Sequence, residues 1–265
     1  MIDLHSHILP GIDDGARNLD DSLLMAKTAV ATGTTVLACT PHIKPPTYLN
    51  NGPAIDAAVN FLRSQLELAD IPLELVVGAD IHINHDLLDG LKTGRLPTIN
   101  GSRYFLFEPD HNVLPPGMER FCASILAAGF IPVLTHPERL VWIERHYDLV
   151  CHLEEMGVAL QITASSITGG FGRRVQQWSM RMLGENRVDI IASDAHNNTN
   201  RSTSLSDAWT LVEEQFGSAC ANQLLLENPQ RILQDQPLLE KARDWNTVAP
   251  QKHGWLNLIN RISSK

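Results

Sequence analysis

"TTVLACTPH", residues 34–42, decides the architecture. Residues 34–40 form a short β-branched run that is apolar on both faces, as a parallel strand buried under helices is expected to be. "VDIIAS", residues 188–193, repeats the pattern. Working outward, five more candidate strands cover residues 1–5, 73–83, 104–108, 131–136 and 158–162. Helix signatures lie between several of them. "LDDSLLMAKTAVATG" has an acidic first turn and a Gly stop, "PAIDAAVNFLRSQLELAD" starts on Pro, and "FCASILAAGF" and "RSTSLSDAWTLVEEQFG" end on Gly or just past it. Seven strands alternating with amphipathic helices predict an α/β chain folded as a (β/α)7 barrel of the TIM-like type.

Composition limits what such a barrel does. At 265 residues the chain can form one barrel-sized domain, and its apolar fraction of 43% is ordinary for a globular protein. The formal net charge of −9 argues against a grip on nucleic acid. No apolar run approaches the roughly 18 residues of a membrane span. Asp3 and His5 stand where a secretory signal needs basic and apolar residues, so a cytoplasmic location is expected. Cys39, Cys122, Cys151 and Cys220 are scattered, form no C-x-x-C pair and read as reduced, buried apolar residues.

Chemistry concentrates at the strand ends. "MIDLHSHILPGIDDGA" opens the chain with His5 and His7 on one face of a strand, and Asp13 and Asp14 follow in the next loop. His42 ends "ACTPH", Asp80 sits in "VVGADIHI", and Glu108 lies in "YFLFEP". His136 opens "HPER", and Asp194 and His196 end "IIASDAH". In a barrel of this type the strand C-termini share one mouth. Counting one of Asp13 and Asp14, nine nitrogen and oxygen ligands would gather there. Zinc, manganese and iron take about four to six ligands each, so two or three ions sharing a bridging carboxylate are the economical reading. A lone histidine is more often structural, and His82, His85, His111, His146, His152 and His253 lie off the strand-end pattern and are read that way. Asp-Asp-Gly is also an ordinary turn. Of its two carboxylates, Asp14 is the preferred ligand.

The ordered set "DLHSHILPGIDDG", "CTPH", "FEP", "THPER" and "SDAHN" resembles the polymerase and histidinol phosphatase (PHP) family. Within it, the chain is most similar to bacterial protein-tyrosine phosphatases of capsule and exopolysaccharide loci, from Met1 to roughly Leu233. The resemblance implies a distorted seven-stranded barrel with three divalent ions, manganese or iron more often than zinc. It assigns His5, His7 and Asp194 to a first ion, with Asp80 bridging to a second that Glu108 and His136 complete. Asp14, His42 and His196 would hold the third. The bridging residue is usually Glu in this family, and Asp80 is one methylene shorter. Residues 1–235 would be the phosphatase barrel. Residues 236–265 would be an extension whose Trp255, Leu258, Ile259 and Ile262 could form one apolar helical stripe that docks on the body.

The implied reaction is hydrolysis of a phosphate monoester. A thiolate mechanism needs an Arg six residues after the cysteine, and Pro45, Ala128, Gly157 and Leu226 occupy those positions. Ions that acidify water supply the nucleophile instead. Arg139 and Arg201 match arginines the family uses to hold phosphate, and their planar guanidinium groups suit phosphoryl oxygens. The substrate implied is a phosphotyrosine protein, such as the tail of a bacterial tyrosine kinase of polysaccharide export. A small-molecule phosphatase of the histidinol phosphatase type and a non-catalytic metal-binding module are the alternatives. An amidohydrolase barrel also starts with H-x-H, but the Asp194-x-His196 pair and the lack of an obvious bridging lysine speak against it. The segment "KPPTYLNNGPA" after His42 would be a rim or a lid over the site.

Overall fold

A computed structural model describes residues 1–241. Ten strands run in order: β1 (Ile2–Ser6), β2 (Val36–Cys39), β3 (His42–Lys44), β4 (Tyr48–Leu49), β5 (Glu74–Val77), β6 (Asp80–His82), β7 (Tyr104–Glu108), β8 (Ile131–Thr135), β9 (Ala159–Thr163) and β10 (Ile190–Ala192). They form an α/β fold with two sheets, one of order β1-β2-β5 and one of order β10-β9-β8-β7-β6-β3-β4. Every pairing is parallel except β3 with β4. The expected single closed sheet of seven strands is not what the ladder hydrogen bonds form. One of the seven expected strands, residues 73–83, is broken, and the run 34–40 is followed by two further short strands. Pro41, which has no N–H to donate, separates β2 from β3, and Gly78 and Ala79 separate β5 from β6. A Cβ on Gly78 would lie 3.0 Å from Thr40 Cγ2, so the two breaks face each other at a close approach that leaves no room for a side chain.

The four helix signatures become helices Leu19–Ala31, Gly52–Leu68, Met118–Ala127 and Ser206–Phe216. Asn18 and Asn51 cap the first two, each side chain accepting a backbone N–H three residues on. Helices Ile143–Glu155 and Arg173–Gly184, among others, complete the outer layer. One apolar cluster fills the space between strands and helices, with Phe105, Phe107, Leu134 and Leu160 facing Ile55, Leu62 and Ile125. A second gathers Ile2, Ala38, Val76, Leu106, Val133, Ala159 and Ile190 from seven different strands. Among the described residues no helix is long and apolar enough to cross a membrane. All four cysteines are free, and only Cys151 is not fully buried.

The start of the expected extension, residues 236–241, lies against the body. Tyr104 Oη donates to the Gln236 carbonyl at 2.8 Å, and Lys241 Nζ reaches Glu154 at 2.8 Å and Asp189 at 3.1 Å. Trp255 and the rest of the expected apolar stripe lie outside the described residues.

Strands β1 and β10 belong to different sheets but run side by side at their C-terminal ends. Asp194 N donates to the His5 carbonyl and His7 N to the Ala195 carbonyl, both at 2.8 Å. Asp3 ties the same strands together, its Oδ1 accepting Ser193 N at 3.0 Å. Burial pushes the Asp3 carboxyl up to about 6 despite these hydrogen bonds. An acid whose folded pKa is raised contributes most below its unfolded value near 3.8, and that contribution is lost as pH rises through about 6. Asp3→Asn keeps an acceptor without the charge. Its unfolding free energy relative to wild type should therefore rise by on the order of 2–3 kcal/mol between pH 4 and pH 7, read from denaturant titrations. A constant difference across that range would show that Asp3 does not titrate there.

Candidate metal centre

The strand ends meet at one mouth. His5 lies one residue before the end of β1, and the imidazoles of His5 and His7 face each other with their Nε2 atoms 3.3 Å apart. The pairing of β1 with the end of β10 brings Asp194 to both: its Oδ1 lies 3.5 Å from His5 Nε2 and 3.4 Å from His7 Nε2. Asp80, at the start of β6, places Oδ2 3.7 Å from His5 Nε2 and 3.2 Å from His42 Nδ1. Glu108 ends β7, and its Oε1 is 3.6 Å from His136 Nε2. Asp14 Oδ1 stands 3.5 Å from both His42 Nε2 and His196 Nε2. All nine expected ligands therefore converge. Four linked groups, each offering one atom per residue to an ion, are His5, His7 and Asp80; His7, Asp14, His42 and His196; His42, His82 and Glu108; and Glu108, His111 and His136, with Asp194 beside the first two through its contacts to His5 and His7.

The imidazoles are aimed from behind. Asp13 Oδ2 pairs with His7 Nδ1 at 2.7 Å, Gln161 Oε1 with His5 Nδ1 at 2.9 Å, and the Asp194 carbonyl with His196 Nδ1 at 3.0 Å. Each leaves Nε2 free on the inner side, the arrangement that orients histidines toward metals. This separates the two carboxylates of the Asp-Asp-Gly turn. Asp13 is taken up by His7 and by the backbone N–H groups of Gly15 and His42, whereas Asp14 faces the cluster. Gly15 is required beside them, because a Cβ there would lie 2.0 Å from the His7 carbonyl oxygen.

Electrostatics mark the same place. Burial alone would raise Asp194, but His5, His7, Arg201 and Arg139 outweigh it and hold the carboxyl well below the usual range. Burial would likewise depress His7, yet Asp13 and Asp194 raise it to about 10. Burial and the neighbouring His7 charge bring His196 down to about 4. Several buried atoms, including both oxygens of Asp80 and His136 Nδ1, have no hydrogen-bond partner. Buried acceptors left unpaired are costly, and a donor set of carboxylates and imidazoles fits divalent cations that would satisfy them.

Arg139 and Arg201 reach the same carboxylate from the other side. Both guanidinium groups bond Asp194 Oδ2, Arg201 at 2.7 Å and Arg139 in direct contact. Phe171 lies under both, its ring centroid 4.4 Å from Arg139 Cζ and 5.9 Å from Arg201 Cζ. The two arginines, Asp14, His42, Glu108, His136, Asp194 and His196 line a pocket of about 260 Å³. Lys44, Asp110 and Asn112 also line it. The segment after His42 forms the β3–β4 hairpin, which brings Lys44 to this pocket and stacks Tyr48 on His42 at 5.7 Å.

Two histidines set aside as structural belong here. His82 Nε2 touches Glu108 Oε2, and His111 Nε2 pairs with Glu108 Oε1 at 2.7 Å. Both line the pocket. Position 82 lies two residues beyond Asp80 and thus on the same strand face, a signal available from spacing alone. His111 is brought in by the loop after β7, which spacing does not reveal. Phe171 was missed because it sits in a Gly-rich turn with no chemistry of its own.

Comparison with known proteins agrees with this geometry. Residues 1–234 match the family described as capsular polysaccharide synthesis, CpsB/CapC. The tyrosine-protein phosphatase YwqE of Bacillus subtilis is 35% identical over 241 residues, covering 91% of this chain and 94% of that protein. The putative tyrosine-protein phosphatase CapC of Staphylococcus aureus is 32% identical over 251 residues, 92% of this chain and 98% of its own. A chain from the crystal structures of YwqE and of CpsB from Streptococcus pneumoniae, described there as metal-dependent tyrosine phosphatases, superposes with a TM-score of 0.88. It is 34% identical and covers 96% of this chain and all of its own length. Matching over nearly its whole described length, the chain belongs to the CpsB/CapC family of capsular polysaccharide synthesis proteins.

Proposed function

We propose that this chain is a metal-dependent protein-tyrosine phosphatase that acts on the phosphorylated tail of a bacterial tyrosine kinase controlling capsule or exopolysaccharide synthesis. The observation that carries the reading is Asp194, whose one oxygen faces the His5–His7 pair while the other receives Arg139 and Arg201. Cation ligands and phosphate-binding donors thus meet on a single carboxylate. In this reading three divalent ions, manganese or iron, would be held here: His5, His7 and Asp194 would take the first, Glu108 and His136 the second, and Asp14, His42 and His196 the third, with Asp80 serving the first two. The seven strands that share the inner apolar cluster wrap as a distorted (β/α)7 barrel, with residues 1–235 as the phosphatase unit and 236–265 as an extension. The enzyme works in the cytoplasm, where kinase tails and reduced thiols are found.

When bound, such ions acidify water and offset phosphate charge. The protein's own side chains do the rest. Arg139 and Arg201, fixed by Asp194 and by the Phe171 ring, present planar donors to the equatorial phosphoryl oxygens as negative charge spreads over them. A tyrosine phenolate, with its pKa near 10, leaves with less help than an alkoxide, which lessens the need for a strong general acid. The pocket is lined almost wholly by charged and polar groups, and its volume of about 260 Å³ falls below the roughly 300–1,000 Å³ of sites that enclose a metabolite. It suits the head of one side chain presented by a peptide better than a whole small molecule.

Chelation should abolish hydrolysis of a phosphotyrosine peptide, and manganese or iron should restore it better than magnesium. Full activity in chelator would refute the metal-dependent reading. Arg139→Ala should leave metal content intact and lower kcat/KM by one or more orders of magnitude, about 1.4 kcal/mol per tenfold. Arg139→Lys should recover part of the loss, because an ammonium keeps the charge without the planar two-point contact. The same pair of changes at Arg201 should behave alike. Unchanged kcat/KM in both alanine variants would remove the arginines from phosphate binding.

A further inference from the structure

Five buried side-chain atoms beside the pocket have no hydrogen-bond partner: His42 Nδ1, both oxygens of Asp80, His82 Nε2 and Glu108 Oε2. They belong to four side chains that face one another. His42 Nδ1 lies 3.2 Å from Asp80 Oδ2 and 3.6 Å from Glu108 Oε2, and His82 Nε2 contacts Glu108 Oε2 directly. Ligand atoms of His42, His82 and Glu108 all fall within 4.8 Å of one another. Asp80 is wholly buried and Glu108 is 5% exposed, so water does not relieve them. Carboxylate oxygens and imidazole nitrogens buried this close together without well-aligned hydrogen bonds are what a cation between them would satisfy.

The four side chains are not equivalent. His42 turns its Nε2 toward Asp14, 3.5 Å away, which commits that nitrogen to the other side of the centre and leaves Nδ1 to steady Asp80. His111 occupies Glu108 Oε1 at 2.7 Å, so Oε2 is the oxygen left for a cation. His82 has neither commitment. Its Nε2 points at that oxygen, and its side chain is 14% exposed at the pocket wall.

We propose that His82 is a metal ligand, binding through Nε2 an ion held at Glu108 Oε2, on the side of Glu108 that His42 also faces. The inference rests on the metal-dependent reading above and adds a residue to the nine ligands assigned there. It adds an imidazole to the Glu108 carboxylate at that position. Imidazole favours iron and zinc, whereas carboxylate alone suits magnesium and manganese, so His82 biases the position toward the former pair.

The test uses the full chain, stripped with chelator and reloaded with zinc. His82→Ala should retain one zinc fewer than wild type by elemental analysis, or bind its last zinc at least about tenfold more weakly, with a smaller change for magnesium. His82→Gln can still donate to Glu108 and should not restore zinc, which separates ligation from hydrogen bonding. In crystals of the zinc-loaded wild type, the anomalous map should place an ion about 2.0–2.1 Å from His82 Nε2. Wild-type stoichiometry and affinity in His82→Ala, rescue by Gln, or an ion more than about 3 Å from Nε2 would each overturn the assignment. If zinc fills the His5–His7 position but leaves His82 aside, only this inference fails. If the wild type retains no ion at all, the metal-dependent reading fails with it.

Discussion

The contact on which the site depends is the backbone pairing of β1 with the chain just beyond β10. Two hydrogen bonds of 2.8 Å, from Asp194 N to the His5 carbonyl and from His7 N to the Ala195 carbonyl, join segments far apart in the sequence. They set His5, His7, Asp194 and His196 within reach of one another. Asp194 adopts a positive φ of 50° to do so, and His136 one of 35°, conformations that non-glycine residues seldom take without a structural or functional reason. Asp3 and Ser193 reinforce the junction from below, Ser193 Oγ donating to the His5 carbonyl at 3.2 Å. Loss of this seam would separate the histidine pair from the carboxylate that also anchors both arginines.

Much of this was legible in the sequence because parallel strands end where chemistry is done. Strands buried on both faces read as continuous apolar runs, and the polar residue that stops each run is therefore conspicuous. His5, His42, Glu108, His136 and Asp194 were all found that way, and all line or approach the pocket. The turn residues were harder. Asp13 and Asp14 are chemically identical in sequence, and only the fold shows that one supports His7 from behind while the other faces His42 and His196.

What escaped was whatever depends on local breaks and loop paths. Gly78 divides the run 73–83, which looks continuous, and β3 and β4 follow Pro41 beyond the run 34–40, so the result is ten strands in two sheets rather than seven in one. The break before Asp80 matters for the site: it starts a new short strand, β6, whose first and third residues, Asp80 and His82, share a face. A single strand over residues 73–83 also puts Asp80 and His82 on one face, so that relation lies in the spacing, whereas the break that starts β6 does not. Phe171 and His111 lie in loops, where the position of a side chain follows from tertiary packing that local propensity does not encode.

His42 shows how closely the subsites are coupled. Its Nε2 looks at Asp14 and its Nδ1 at Asp80, so a single ring separates and orients two carboxylates on opposite sides of the cluster. The same economy recurs at Asp194, which divides its oxygens between histidines and arginines, and at Glu108, which divides them between His111 and His82. Each dual-facing residue makes its two neighbours interdependent, because rotating the ring or carboxylate to suit one partner withdraws it from the other. A substitution at any of these three positions should therefore disturb more than one subsite at once, whereas a change at Asp13 or Gln161, which each support one imidazole from outside, acts on that imidazole first.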